Sequence, residues 1–273
     1  MAFIRVLRAQ MTRWVKTEFF RPMTLFWNII LPLSWGLQFY FLYIPFRFGK
    51  IDLEFVNVSS VGVELLGFTL TGQVCWMLFI NTSLFGGAFF LRERWEGTLE
   101  VLFLSPASRI GIIIGTSLAG ATNFLWFTFG LGIAVLLLNI ELHISSWFAV
   151  LVSLSISFIV LLSLGMFFEA FFIASRLGGM WATAIQEPLQ FVSGLIFPIQ
   201  YLPSILRAFA AAIPFTYVLL IVRGTLLGAL TLAEIQWELT ILVFMALVLV
   251  GLSIFFMERV EHHVKRQGNL RLF

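Results

Sequence analysis

The sequence predicts an all-α polytopic membrane protein with six transmembrane helices. Of its 273 residues, 60% are apolar and 11% are charged, and the mean hydropathy is +1.00. About a quarter of the residues are charged in a typical soluble protein. The apolar residues form long runs, and a helix needs about 20 of them to cross a bilayer. We therefore expect residues 1–273 to form one transmembrane domain with no soluble catalytic domain.

Residues 1–21 are predicted to form an amphipathic helix that lies in the membrane interface. Its basic residues are spread along the segment, which is not the pattern of a cleaved signal peptide. The apolar side chains recur on one helical face: Ile4, Leu7, Met11, Trp14, Val15 and Phe19. Arg5, Arg8 and Lys16 lie on another face, where they can meet anionic lipid headgroups. The alternative is a disordered basic tail.

Six apolar segments are predicted to cross the membrane: residues 23–46, 61–91, 110–138, 147–174, 180–197 and 237–257. Pro32 should kink the first of them. Glycines in the second and third segments predict close approach of neighbouring helices. They are Gly62, Gly67 and Gly72, then Gly111 and Gly115.

Residues 199–236 are predicted to be a re-entrant hairpin on the outer face. Pro198, Pro203 and Pro214 interrupt its apolar run. The ten residues between the last two prolines would span only about 15 Å as a helix, half the hydrocarbon thickness. This segment therefore enters the membrane and returns instead of crossing it.

The distribution of basic residues predicts the topology. Thirteen of the 17 lysines and arginines fall in residues 1–21, 92–109, 175–179 and 258–273. The other four fall in residues 47–60 and 199–236. Because positive charge is retained on the inner side, we expect both termini, the tail 258–273 and the connector 92–109 in the cytoplasm.

The connector, residues 92–109, holds six charges between two apolar segments. Its spacing predicts a short helix with an acidic face and an apolar face, closed by Ser105 and Pro106. Glu93, Glu96 and Glu100 make the acidic face, and Leu99, Leu102 and Phe103 the apolar face. Such a helix could contact a soluble partner, or it could simply connect two spans.

Two stretches of sequence resemble one family. The run Glu93-Arg94-Trp95-Glu96-Gly97-Thr98-Leu99-Glu100, followed by Ser105-Pro106, resembles the coupling-helix signature of type-2 ABC export permeases. The run Ser193-Gly194-Leu195-Ile196-Phe197-Pro198 is similar to the segment before that family's last span. The same segment continues with Leu202-Pro203, Pro214-Phe215-Thr216-Tyr217 and Arg223-Gly224.

The resemblance implies a function and a set of partners. The chain would be the membrane subunit of an exporter in the plasma or inner membrane, paired with a second copy as a homodimer. Two ABC ATPase subunits would bind ATP and magnesium, and this chain would hold no cofactor. The connector would dock the ATPase through Glu93, Arg94, Glu96, Gly97, Thr98, Leu99, Glu100, Phe103, Ser105 and Pro106.

The cargo is expected to be hydrophobic or amphipathic, either drug-like or lipid. The Glu96-Gly97-Thr98-Leu99-Glu100 form of the connector favours the drug and lipid branch of the family, and the 32 phenylalanines agree with such a cargo. The alternative within transport is export of a lipid-linked glycan. Membrane lipid is the expected surrounding, and no nucleic-acid partner is expected.

Enzymatic function is not supported by the residues present. Lys50 lies in Gly49-Lys50-Ile51, which lacks the other residues of a phosphate-binding loop. The histidines have no metal-ligand spacing, and no nucleophile lies beside a base in sequence. An intramembrane lipid-modifying enzyme is the competing class, but it would need paired carboxylates or a histidine at one depth.

Ionisable residues inside apolar segments are candidates for function because they are costly to place there. Glu169 could form a structural ion pair with Arg176. Glu187 precedes Pro188, and it could contact substrate or merely protonate and pack. Arg223 is expected to reach the membrane surface or to bind backbone carbonyls freed by the prolines.

Overall fold

The computed structural model describes residues 2–47, 58–84, 93, 95–98, 109–137, 144, 146–174, 178–196, 198–228 and 230–267. The regular structure in these ranges is entirely helical, which confirms the all-α class. The longer helices are α1 (Ala2–Trp14), α2 (Pro22–Arg47), α3 (Val58–Phe79), α4 (Arg109–Leu137), α5 (Trp147–Ala174) and α6 (Gly178–Val192). They continue with α7 (Ser204–Ala211), α8 (Pro214–Leu226) and α9 (Gln236–Gln267). Short π-helical turns follow α1 at Val15–Phe19 and α3 at Ile80–Leu84, and a 3-10 turn covers Ile199–Tyr201.

Three of the described helices are long and apolar enough to cross a membrane: Gly111–Leu137, Trp147–Phe168 and Gln236–Phe256. A fourth span results if α7 and α8 are counted as one broken helix. In α2 the apolar stretch Pro22–Leu31 is shorter than a span. The end of the predicted second span, residues 85–91, lies outside the described residues. The membrane class therefore agrees with the prediction, and the count of six spans stays a prediction.

The hydrophobic core lies where α3, α5, α8 and α9 meet. Each of these helices contributes a fully buried large side chain, namely Phe79, Leu161, Phe215 and Leu242. The rings of Trp76 and Phe79 are stacked 5.1 Å apart, and Phe79 lies 5.0 Å from Phe215. Van der Waals packing of this kind is a main source of helix association in lipid.

A close helix contact joins α5 to the π-helical turn after α3. A Cβ atom on Gly165 would lie 2.8 Å from the Thr82 carbonyl oxygen and 2.9 Å from the Ser83 Cα. The Ser83 hydroxyl donates to the Leu161 carbonyl at 2.6 Å. Among the serines of α5, Ser153, Ser157 and Ser163 are buried. Small and polar side chains thus bring these helices together.

The helices α7 and α8 meet at an angle of 88°. Pro203 precedes α7, and Pro214 is at the start of α8, where a proline is favourable. The α8 helix is buried in protein, with Val218, Ile221 and Val222 inaccessible. This geometry fits a broken span or a re-entrant hairpin, so the hairpin in the outer leaflet stays a prediction.

The N-terminal residues are helical, as their periodicity predicts, and α1 packs on α4. The Trp14 indole donates to the Thr122 hydroxyl at 3.1 Å. A Cβ on Gly115 would lie 3.0 Å from the Gln10 Cβ. The small residue expected to admit another span therefore admits α1. Whether α1 lies in the membrane interface stays a prediction.

Candidate functional site

The connector contains a helix that ends at Gly97. Glu93 and Trp95 are helical, and Glu96 and Gly97 form a turn. Gly97 has a φ of +74°, the left-handed conformation that glycine adopts without cost. The Thr98 N–H donates to the Glu93 carbonyl at 2.9 Å. A bond across five residues with a left-handed glycine before its donor is the Schellman cap of a helix C-terminus.

This cap changes one prediction from the sequence. An acidic face shared by Glu93, Glu96 and Glu100 requires a helix that continues through Gly97, and the helix ends before it. Glu93 is 5% exposed, whereas Glu96 is exposed, so the two carboxylates do not share a face. The other proposed docking residues lie outside the described ranges, and their role stays a prediction: Arg94, Leu99, Glu100, Phe103, Ser105 and Pro106.

The buried Glu93 carboxylate ties the connector to α1. Its Oε2 accepts a hydrogen bond from the Thr98 hydroxyl at 2.5 Å. Its Oε1 lies 3.4 Å from the Arg13 guanidinium, whose side chain is 55% exposed against 6% for Glu93. A buried carboxylate is stabilised by such partners and costs free energy without them. Arg13 lies 80 residues away, and the sequence contained no signal for this pair.

Next to the cap, the connector presents an exposed aromatic side chain. Trp95 is 77% exposed, and the neighbouring Glu96 and Gly97 are exposed too. Tryptophan is enriched at protein interfaces because it supplies a large contact area with a polar N–H. Trp95 was not among the predicted docking residues. Its position within the motif, two residues before Gly97, was the signal in the sequence that could have identified it.

A second cluster surrounds Arg223 on α8. Its Nη1 donates to the Gly194 carbonyl at 2.6 Å, and its Nη2 donates to the carbonyls of Leu195 at 2.8 Å and Phe68 at 3.1 Å. The guanidinium also lies 3.4 Å from the centroid of the Phe68 ring. Of the two predicted arrangements, the structure shows carbonyl binding. Pro198 occupies the position that would donate to the Gly194 carbonyl if the helix continued, and proline has no N–H.

Residues 50–255 match the model of the family described as ABC-2 family transporter protein. The chain belongs to the ABC-2 transporter family. This match contains both the connector and the Arg223 cluster. It makes the chain an ABC transporter permease, a membrane protein that serves transport.

The ABC-2 chain is also similar to nodulation protein J of Rhizobium leguminosarum bv. viciae. The two sequences are 27% identical over 144 residues, which is 52% of this chain and 54% of that protein. The chain thus spans about half the length of the curated relative it matches.

Among the described residues, Glu187 of this ABC-2 protein is not in contact with the Arg223 cluster. Glu187 is exposed on α6, and the alternative that it protonates and packs stays a prediction. Its role toward substrate stays a prediction. Glu169 lies in α5, but its side chain and Arg176 are outside the described set, so their ion pair also stays a prediction. Among the described residues, no group of three or more side chains could hold a metal ion.

Proposed function

We propose that this chain is the membrane subunit of an ATP-driven exporter that moves a hydrophobic or amphipathic molecule out of the cytoplasm. Two copies, most simply a homodimer, would enclose the pathway in the inner or plasma membrane with their termini in the cytoplasm. Two ABC ATPase subunits would dock on the connectors and bind ATP and magnesium. Closure of the ATPases would switch the pathway from inward-open to outward-open. The family match over residues 50–255 supports this transport role.

The observation that carries the docking part of the proposal is the capped connector. The Schellman cap at Gly97 fixes the backbone, and the bond from Thr98 fixes the Glu93 side chain beneath it. Trp95 and Glu96 are left exposed on a rigid turn. A rigid turn costs little conformational entropy when a partner binds. The turn is therefore suited to transmit a conformational change of the ATPase to this chain.

A movement of the connector would reach the spans through its contacts with neighbouring helices. Glu93 contacts Arg13 at the end of α1. The next residue, Trp14, is hydrogen-bonded to Thr122 on α4. On the N-terminal side of the connector, the chain forms α3 and its π-helical turn. Movement of the connector would therefore act on α1, α3 and α4 together.

The cargo class is proposed from chemistry. The aromatic residues, 16% of the chain, offer flat apolar surfaces to a drug-like or lipid cargo. The connector's resemblance to the drug and lipid branch supports the same class. A lipid-linked glycan is the competing cargo, because its lipid anchor would need the same apolar surfaces.

Copurification tests the docking proposal. The tagged chain would be coexpressed with a candidate ABC ATPase, and the retained ATPase would be measured for wild type, Glu96→Lys and Trp95→Ala. We expect each variant to retain at least about tenfold less ATPase, since an unfavourable charge contact at an interface can cost several kcal/mol. Glu258→Lys, an equal charge change at an exposed position on α9, should retain it fully.

Transport is then measured with inside-out vesicles. A fluorescent lipid, a drug-like dye and a lipid-linked oligosaccharide would be compared for ATP-dependent accumulation. Accumulation of the oligosaccharide alone would transfer the proposal to the glycan class. Normal ATPase retention and normal transport by both connector variants would remove the connector from the mechanism.

A further inference from the structure

We propose that Arg223 is a positioning residue that holds the segment after α6 and the helix α8 on α3, so that the three move as one body during transport. The inference rests on the proposed export function for its transport consequence. Its structural part stands on the contacts of one guanidinium with two other segments of the chain. Neither the connector nor any cargo contact is needed for it.

The geometry of the guanidinium matches this role. Its Nη1 and Nη2 reach Gly194 and Leu195, which follow α6, while Nη2 also reaches the Phe68 carbonyl of α3. The Phe68 ring covers the guanidinium at 3.4 Å. Only arginine presents a planar fork of donors that can bond to several acceptors and stack on a ring together. A lysine would keep the charge but would lose the fork and the stacking.

The backbone is arranged to supply these acceptors. Gly194 has a φ of +86°, so the chain turns sharply after α6 and leaves carbonyls outside any helical ladder. Ser193 still donates its N–H to the Leu189 carbonyl at 3.0 Å, which marks the last regular turn of that helix. Unpaired carbonyls inside a membrane protein are costly. Arg223 satisfies two of them, at Gly194 and Leu195.

Gly72 on α3 provides the space for the guanidinium. A Cβ at this position would lie 2.5 Å from the Arg223 Nη2, 3.1 Å from the Leu195 Cδ1 and 3.3 Å from the Leu195 carbonyl oxygen. Any side chain larger than hydrogen would therefore displace the fork. About one and a half turns earlier on α3, a Cβ on Gly67 would lie 3.2 Å from the Leu227 Cδ2. The two glycines predicted to admit a neighbouring helix thus admit Arg223 and the end of α8.

These contacts argue against a cargo-binding role for Arg223. Both of its terminal nitrogens are bonded to carbonyls, and its Nε atom is buried with no hydrogen-bond partner among the described residues. No carboxylate of the described chain pairs with it, so the carbonyl dipoles and the Phe68 ring balance its charge. The group therefore acts on the protein's own backbone. Because α3 leads to the connector, this attachment would transmit connector movement to α8.

The positional part of the inference is tested by disulfide cross-linking. Gly67→Cys and Leu227→Cys would be combined, with Cys75 retained because it is fully buried. The single-cysteine variants control for pairing with Cys75. We expect rapid cross-linking in the otherwise native chain. Arg223→Lys and Gly72→Ala should each slow it at least about fivefold, whereas Gly132→Ala should not, since nothing lies within 4 Å of its Cβ.

The transport part is tested with the same variants and without the added cysteines. Arg223→Lys and Gly72→Ala should retain the ATPase as wild type does but export at least about tenfold less cargo. Combining Gly72→Ala with Arg223→Ala should cost less than the sum of the two single losses, because the clash with the fork is already absent and only the longer contacts with Leu195 remain. All variants must elute as a monodisperse peak, and Arg223→Lys is the mild variant that keeps the charge.

Normal cross-linking and export by Arg223→Lys would overturn the inference, as would additive losses in the double variant. A wild-type chain that binds no ATPase would refute the proposed function instead. In that case the cross-linking rates would still decide whether Arg223 holds α8 on α3.

Discussion

Ser83 donates a 2.6 Å hydrogen bond to the backbone carbonyl of Leu161, 78 residues away. The bond joins the π-helical turn at the end of α3 to the middle of α5. Gly165, one helical turn beyond Leu161, lets the two backbones touch. In lipid such close contacts and interhelical hydrogen bonds replace the hydrophobic effect as the cause of helix association. This close packing therefore lies at the end of the helix that leads to the connector.

Gly165→Ala should destabilise the purified protein by about 1–3 kcal/mol, the usual cost of overpacking. The atoms within 3 Å of the new Cβ belong to the backbone of Thr82 and Ser83, which cannot rotate away. The measurement is thermal unfolding in detergent. Gly132→Ala is the matched control, because its Cβ meets open space on α4. Equal unfolding temperatures for the two variants would contradict the packing seen at Gly165.

Loss of Glu93 should harm the connector more than loss of Arg13. The Arg13 side chain is half-exposed, and an exposed ion pair contributes roughly 0–1 kcal/mol. Glu93 is buried and also accepts the bond from Thr98. We therefore expect Glu93→Ala to expose the connector to limited proteolysis and Arg13→Gln to leave it nearly protected.

The exchanged pair, Arg13→Glu with Glu93→Arg, provides the control. It restores the opposite charges, but an arginine at position 93 has no acceptor atom, so the hydrogen bond that the Thr98 hydroxyl donates to the carboxylate is lost. Proteolysis should remain fast in this variant. Full protection would show that a pair of opposite charges at positions 13 and 93 is enough to hold the connector, without the hydrogen bond from Thr98.

Substitutions at Gly97 should follow backbone preference and not size. No atom lies within 4 Å of a Cβ built there, whereas its φ of +74° is left-handed. That conformation costs a residue with a side chain roughly 1–2 kcal/mol, and asparagine least. ATPase retention should therefore decrease in the order Gly97→Asn, Gly97→Ala, Gly97→Val. A valine variant that retains ATPase better than the alanine variant would refute a conformational role.

Glu234 should make the start of α9 sensitive to acid. Hydrogen bonds from the Thr231 backbone N–H at 2.7 Å and from its hydroxyl at 2.8 Å hold the pKa of Glu234 below its ordinary value. Because the folded pKa is depressed, the stabilisation is present above the unfolded pKa, about 4.3. It is lost as the pH falls through the folded pKa.

The test compares unfolding temperatures of wild type and Glu234→Ala over a pH series. The difference should be constant near neutral pH, decrease below about pH 4.3 and vanish in stronger acid. Glu234→Gln can still accept the cap hydrogen bonds but does not titrate, so it should lack this pH dependence. A wild-type advantage that persists in strong acid would exclude the carboxylate as its source.

Cysteine labelling tests whether residues 199–236 form the predicted re-entrant hairpin. Single cysteines at Gln200 and Thr231, both exposed, lie before α7 and after α8. If the 88° break between α7 and α8 belongs to a re-entrant hairpin, a membrane-impermeant maleimide should label both from outside. Labelling of the Thr231 position only from the cytoplasm would make the pair a broken span.

The sequence by itself determined the membrane class, the helical character and the family. These properties follow from local features, since a long apolar run predicts a transmembrane helix and a proline interrupts a helix. The prediction of residues 147–174 coincides with α5, and the prolines of residues 199–236 separate α7 from α8. Gly97 also carried a local signal, because glycine commonly follows the last turn of a helix.

Only the tertiary structure decided which charges are buried and what they contact. Periodicity placed Glu93 with Glu96 on one face, yet Glu93 faces Arg13 of α1 and Glu96 faces outward. Arg223 likewise finds its carbonyls 28, 29 and 155 residues away. Contacts over such separations depend on how whole helices pack, which no local pattern records. A buried charge without a partner costs more free energy than an exposed one. For that reason the buried side chains of Glu93 and Arg223 identify the two candidate sites.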